Sequence, residues 1–326
     1  MNPHQNLRAS LESDGRTVYL YLTPDCECPF PPRALWICNL SQAPEKDDTE
    51  ARKSGVAPLA KRSACRHPEG CDELEPDNLR LEWSQEGCGV AIFSKETLLG
   101  YISPFQTGTP GFGYSAEAVE SHMGTHPFPK DSSFLQEKIA ADRSYWKIRS
   151  EKGFWDSYRD RLLVHYESVF GKHSRYFALV DRPYPPLAIV EFTTEKGIVY
   201  TTLGMSNQNM PYSFSETGEK LSPPRVELLF QAEKAEDWVP SAMGIIASYP
   251  WATFKTVAPG HIFETGTADA DFLLKETGPL VENIPKFTQD SMKVQFLSAE
   301  RITKNELEMA KKRGANALQS DNKGES

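Results

Sequence analysis

Cys26-Glu27-Cys28 and Cys65-Arg66-His67-Pro68-Glu69-Gly70-Cys71 have the residue types and spacing to hold a metal. Zinc takes four thiolate, imidazole or carboxylate ligands in a tetrahedron, and two short Cys/His segments folded together could supply them. The spacings are C-x-C and C-x-H-x3-C, not paired C-x2-C knuckles. Two readings therefore stay open: a zinc site on Cys26, Cys28, Cys65, His67 and Cys71, or unligated thiols in a proline-rich loop. All six cysteines (Cys26, Cys28, Cys38, Cys65, Cys71, Cys88) precede residue 89. The start, Met1-Asn2-Pro3-His4-Gln5-Asn6, lacks the charged-then-apolar pattern of an export leader, so a cytoplasmic chain with reduced thiols is expected. No cofactor other than zinc is implied.

Other reactive-looking patterns weaken on inspection. In Glu120-Ser121-His122-Met123-Gly124-Thr125-His126 the histidines sit four apart. Gly124 and Pro127 oppose a helix, however, and no glutamate occupies the metalloprotease position, so a loop is expected. His261, after Pro259-Gly260, has no serine or cysteine nucleophile motif with it. Gly111-Phe112-Gly113 lacks the third glycine of a dinucleotide loop, and Asp269-Ala270-Asp271 lacks the glycine and glutamate of a calcium loop. A non-enzymatic protein is the expectation. The alternatives are a zinc-binding regulator or scaffold using the Cys/His cluster, or an enzyme without a recognisable motif.

Six residues are candidates for touching a partner: Gly204, Met205, Ser206, Tyr249, Trp251 and His261. Glycine permits close backbone approach, methionine offers an adaptable apolar surface, and large aromatics anchor interfaces. Each also has a structural reading, with Met205, Tyr249 and Trp251 filling a core. The 326 residues carry a formal charge of −9, which repels phosphate backbones and argues against nucleic acid. No apolar run reaches the 18 or so residues of a membrane span.

The elements that must position these residues change character along the chain. Val18–Leu22, Ala34–Leu40, Leu79–Trp83, Val90–Phe93 and Leu98–Ile102 read as short strands, with a helix or long loop between residues 41 and 62. From Asp131-Ser132-Ser133 a capped helix is expected, then a second over Trp155–Phe170 that stops at Gly171. Leu187–Phe192 and Ile198–Leu203 suit a hairpin around Glu195-Lys196-Gly197, and Arg225–Phe230 another strand. Trp238–Tyr249 reads as a helix ended by Pro250. Short strands follow at His261–Phe263, Phe272–Leu274 and Val294–Leu297, before a helix that begins at Thr303-Lys304-Asn305-Glu306 and runs to Arg313. The order implies an α+β protein with a mixed sheet.

The second half resembles a known family. Thr201-Thr202-Leu203-Gly204-Met205-Ser206 and Arg225-Val226-Glu227-Leu228-Leu229-Phe230 come first. Trp238 with Ala247-Ser248-Tyr249-Pro250-Trp251, Pro259-Gly260-His261 and Phe272-Leu273-Leu274 follow, then Val294-Gln295-Phe296-Leu297 and Ile302-Thr303-Lys304-Asn305-Glu306-Leu307. In that order they are similar to the suppressor-of-fused domain family in its bacterial form, over residues 155 to 314. Ala64–Gly70 and Gly111–Ser115 are similar to an N-terminal extension of some bacterial members. The resemblance implies a suppressor-of-fused-like mixed β-sheet flanked by helices, preceded by a smaller β-rich domain. It further implies a non-enzymatic protein-binding role, with a toxin-neutralising immunity protein facing a basic toxin domain as its finer form. No counterpart of the second, C-terminal domain of the animal members' peptide clamp is expected, so that clamp mechanism is not carried over. Domains are expected at 1–130 and 131–318, with a disordered tail over 319–326. The oligomeric state does not follow from the sequence.

Overall fold

The computed structural model describes residues 1–25, 30–104, 113–179, 185–210, 225–266 and 271–313. They form two compact units, divided between Ser150 and Glu151. Among the described residues no helix is long and apolar enough to cross a membrane.

The first unit holds two sheets. β1 (Leu7–Ser13), β2 (Thr17–Pro24) and β3 (Arg33–Asn39) make an antiparallel meander. After the short α1 (Thr49–Ser54), the strands β4 (Leu79–Trp83), β5 (Val90–Ser94), β6 (Thr97–Ile102), β7 (Gly113–Ser115) and β8 (Thr125–Pro127) pair in chain order. Val18, Leu20 and Leu22 alternate into the core, as period-two side chains must. A Cβ at Gly113 would stand 2.6 Å from Leu35 Cδ1, so glycine is what lets β3 approach β7. Ser115 Oγ donates to Ile37 O at 2.8 Å across the same contact.

α2 (Ser133–Arg149), expected to open the second domain, belongs to the first unit by its packing. Its Leu135 and Ile139 join Ala91, Phe93 and Tyr101, and Trp146 Nε1 donates to Ser84 O at 2.9 Å. The face of β5 and β6 is apolar enough to claim the helix stripe, a match that chain order alone does not reveal.

Beneath α2, Lys138 Nζ lies 3.1 Å from both Asp142 oxygens and 3.8 Å from Glu86. Glu86 and Asp142 are both buried. Two carboxylates thus share one ammonium. Burial raises Asp142 from 3.8 to about 6, Lys138 offsets it in part, and Glu86 adds to it. The folded chain holds this proton more tightly than the unfolded one. The contribution to stability is therefore full below the unfolded value and is lost as pH rises through about 6. Asp142→Asn removes that loss. In urea unfolding, the variant's stability relative to the wild type should rise between pH 4 and 7 by up to about 3 kcal/mol. A difference independent of pH would show that Asp142 titrates normally.

The second unit opens with α3 (Phe154–Phe170), then β9 (His173–Ala178), β10 (Ala188–Thr194), β11 (Gly197–Leu203), β12 (Arg225–Ala232) and α4 (Val239–Thr253). β13 (Ile262–Glu264), β14 (Asp271–Lys275), α5 (Pro279–Asn283), β15 (Thr288–Gln289), β16 (Met292–Ile302) and α6 (Lys304–Arg313) complete it. The sheet order is β13-β14-β16-β12-β11-β10-β9, with β15 beside β16. β12 and β16 run parallel among antiparallel neighbours, so the sheet is mixed and the fold α+β, as expected.

Both faces are covered. Ile189, Tyr200, Val226, Leu228 and Phe230 pack under α4 with Met243, Ile246 and Trp251. Their alternates Val190, Phe192, Val199 and Leu229 meet Tyr158, Leu162 and Tyr166 of α3. Three local outcomes differ from or sharpen the sequence expectations. α4 continues through Pro250 to Thr253, because Pro250 and Trp251 are buried and packing there outweighs the lost backbone donor. β9, whose residues alternate between half-buried and exposed, was not anticipated. At α6, Thr303 Oγ1 accepts from Glu306 N–H at 3.3 Å and Glu306 Oε2 from Thr303 N–H at 2.7 Å, which makes the capping box real.

Candidate functional site

An open groove of about 670 Å³ runs between α4, β13 and α6 in the second unit. Ile245 and Tyr249 come from α4, His261, Ile262 and Phe263 from the strand that opens at β13, and Leu307 and Ala310 from α6. Tyr249 and Phe263 meet edge to face at 5.0 Å, and His261 tilts against Phe263 at 6.4 Å. His261 Nδ1 accepts from Ala258 N–H at 3.3 Å, a bond that orients the ring within its own turn. Charge stays at the rim, where Lys311 Nζ lies 2.9 Å from Glu264 and Lys255 stands nearby. Ile245 is 43% exposed, unusual for an isoleucine on a helix that is otherwise core-forming. Of the expected partner contacts, Tyr249 and His261 therefore share one surface.

Gly204, Met205, Ser206 and Trp251 do not reach it; all four are buried. The close approach that Gly204 allows is internal: at φ 125°, a Cβ there would fall 2.3 Å from Pro186 O. Met205–Asn207 form a short 3₁₀ turn held by Glu227, a carboxylate buried on the α3 face of β12. Glu227 Oε1 accepts from Ser206 N–H at 2.8 Å, Gly204 N–H at 3.2 Å and Tyr158 OH at 2.8 Å, and Oε2 from Thr202 Oγ1 at 2.6 Å. Burial pushes this carboxyl above its ordinary range while the donors pull it back. Arg225 adds a bond to Ser206 O at 2.9 Å and another to Asp290 at 2.7 Å. Trp251 Nε1 donates to Asn209 O at 3.1 Å and ties the far end of the same loop. The Gly204–Ser206 segment is an internal pin. An acidic residue amid the apolar run Val226–Phe230 was the sequence signal for it.

In the first unit the proposed metal ligands separate. Cys26 and Cys28 lie outside the described residues. Cys65 is buried in an apolar cluster with Trp36 and Ala60; its thiol faces Lys61 O at 3.4 Å, and burial pushes it up to about 11. His67 and Cys71 do converge, and with a residue the sequence reading omitted, Glu117. His67 Nδ1 lies 2.9 and 3.0 Å from the two Glu117 oxygens. The Cys71 thiol is raised, with Cys38 beside it as the largest cause and burial and Glu117 adding to the effect. Neither histidine lies on a helix, but the segment is not all loop as expected: His122 bridges to Thr125 and His126 lies on β8, which pairs with β7. His126 Nδ1 lies 2.7 Å from Ser121 Oγ, and His122 Nδ1 3.8 Å from Asp47. Gly111, Phe112, Asp269 and the tail from 319 fall outside the described residues.

A family model described as suppressor of fused protein (SUFU) matches residues 183–325. No curated protein matches the chain. Among solved structures, it is similar to a SUFU homologue of Neisseria gonorrhoeae FA 1090, with 15% identity over 52% of this chain and 92% of that one and a TM-score of 0.39. A chain of the Sufu-Fu complex shares 14% over 50% and 82%, at 0.38. Drosophila Suppressor of Fused shares 13% over 46% and 42%, at 0.31. The matched segment holds the strand, loop and cap motifs from Thr201 to Leu307, so the resemblance read from them stands.

Proposed function

We propose, on the premise that residues 183–325 carry a suppressor-of-fused domain, that the chain holds a protein partner rather than catalysing a reaction. The groove between α4, β13 and α6 is the contact surface. Its lining carries this inference: Tyr249, Ile245, Ile262 and Phe263 form an apolar, aromatic centre, with Lys255, Lys311 and Glu264 at the rim. That is the composition of an interface core and its edge. The partner is a cationic cytoplasmic protein, because a chain of charge −9 attracts one over a Debye length and speeds encounter. A toxin whose basic active site becomes covered is the finer form, the chain then acting as its neutraliser.

A photo-reactive phenylalanine analogue at position 245 should cross-link one protein in cells that carry the partner. The same probe at Val164, 64% exposed on α3, should not. Equal yields from both positions, or adducts from Val164 alone, would move the contact away from the groove.

A further inference from the structure

We propose that Cys38, His67, Cys71 and Glu117 of the first unit form a closed tetrahedral site for a zinc-class divalent cation. Three stretches bring them together: the end of β3, the loop over residues 65–71, and the residues after β7. Cys71 N–H donates to Asn39 O at 2.8 Å, which fixes Cys71 beside the last residues of β3. Arg66 N–H donates to Glu117 O at 2.9 Å, and Cys65 and Ala118 form an antiparallel bridge. Gly70 closes the loop at φ 109°, where a Cβ would stand 2.7 Å from Leu40 O. Backbone contacts thus hold the loop on both sides.

The ligand atoms of His67, Cys71 and Glu117 lie within 4.8 Å of one another, and Cys38 stands next to Cys71 but outside that group of three. Zinc with bonds of about 2.0–2.3 Å sets its ligand atoms roughly 3.4–3.8 Å apart, so a contraction of about 1 Å brings His67, Cys71 and Glu117 to ligand spacing, and Cys38 turns in beside Cys71 as the fourth. His67, with 60% of its side chain exposed, has room to supply it. An ordinary ion pair explains why His67 faces Glu117, but it leaves the Cys71 thiol beside the same carboxylate, with Cys38 next to it, without a reason. Once ionised, the three groups repel one another, and a divalent cation reverses that balance. Binding releases both thiol protons to solvent and takes His67 as neutral imidazole through one ring nitrogen. Four protein ligands leave no open position, so the ion ties three segments together and does not react. Cys65 stands apart, its thiol directed at Ala60 O and Lys61 O.

The test uses untagged full chain, reduced and metal-free, titrated with cobalt(II). The expected result is one cobalt per chain, with a thiolate charge-transfer band and the intense visible bands of tetrahedral cobalt, reversed by zinc. Cys71→Ser and Cys38→Ser should each weaken binding by more than the roughly 10–100-fold that losing a ligand's hydrogen-bonding neighbour costs. Glu117→Gln should weaken it too, and Cys65→Ser should leave it unchanged. Circular dichroism of each metal-free variant separates lost ligation from lost folding, and zinc should raise the Tm of the wild type alone or with Cys65→Ser. An absent band overturns the site. So does a band that survives Cys71→Ser, or one abolished by replacing Cys26 and Cys28 but not Cys38.

Discussion

Replacing Glu227 by leucine should lower the stability of the second unit by roughly 3–5 kcal/mol, a cost in the range for breaking a buried charged network from one side. Four donors converge on this carboxylate: Thr202 Oγ1, Tyr158 OH, Ser206 N–H and Gly204 N–H. Leucine fills the volume and offers none of them an acceptor. Tyr158 retains Ser206 Oγ at 2.8 Å, but the two backbone N–H groups have no such alternative in the tight turn that Gly204 makes. An unmet buried donor costs about 1–3 kcal/mol, and the apolar gain of leucine returns only part of the sum. Glu227→Gln keeps one acceptor oxygen and should cost less than half as much. Urea unfolding followed by tryptophan fluorescence reads the effect, because Trp155, Trp238 and Trp251 all pack in this unit. A loss below about 1 kcal/mol would mean that the donors find water instead, and that the Gly204–Ser206 turn is looser than described.

Local chemistry made part of this unit legible in advance. The Thr303–Glu306 spacing fixed the start of α6, and Gly197, at φ 113°, sits where the β10–β11 hairpin needs a left-handed residue. Signals of this kind act over a few residues. What escaped depends on partners distant in sequence. The parallel pairing of β12 with β16 joins strands separated by two helices and three further strands, and no local pattern encodes it. α2 has the same stripe whichever sheet it covers. Pro250 reads as a stop until the burial around Trp251 is known.

The candidate sites divide in the same way. Tyr249 and His261 stood out by residue type, whereas the groove they share also needs Ile245 and Leu307 from elements with no chemical signature. Met205 and Ser206 looked like contact residues because a Gly-Met-Ser turn is adaptable; the buried Glu227 opposite them turns that adaptability into a fixed pin. At the thiols, His67 and Cys71 were visible as a pair. Glu117, fifty positions from His67, is one of many surface-type glutamates until β7 brings it alongside.

That the chain works by holding another protein in the α4–β13–α6 groove is tested most directly by one affinity comparison. The partner captured through position 245 is titrated by isothermal calorimetry against the wild type and Ile245→Glu. Position 245 is exposed on a helix and tolerates glutamate, so the fold and its Tm should not change. A carboxylate forced into the dry centre of an interface costs about 2 kcal/mol or more, so binding should weaken at least roughly 30-fold. Unchanged affinity in a folded Ile245→Glu chain would contradict the account.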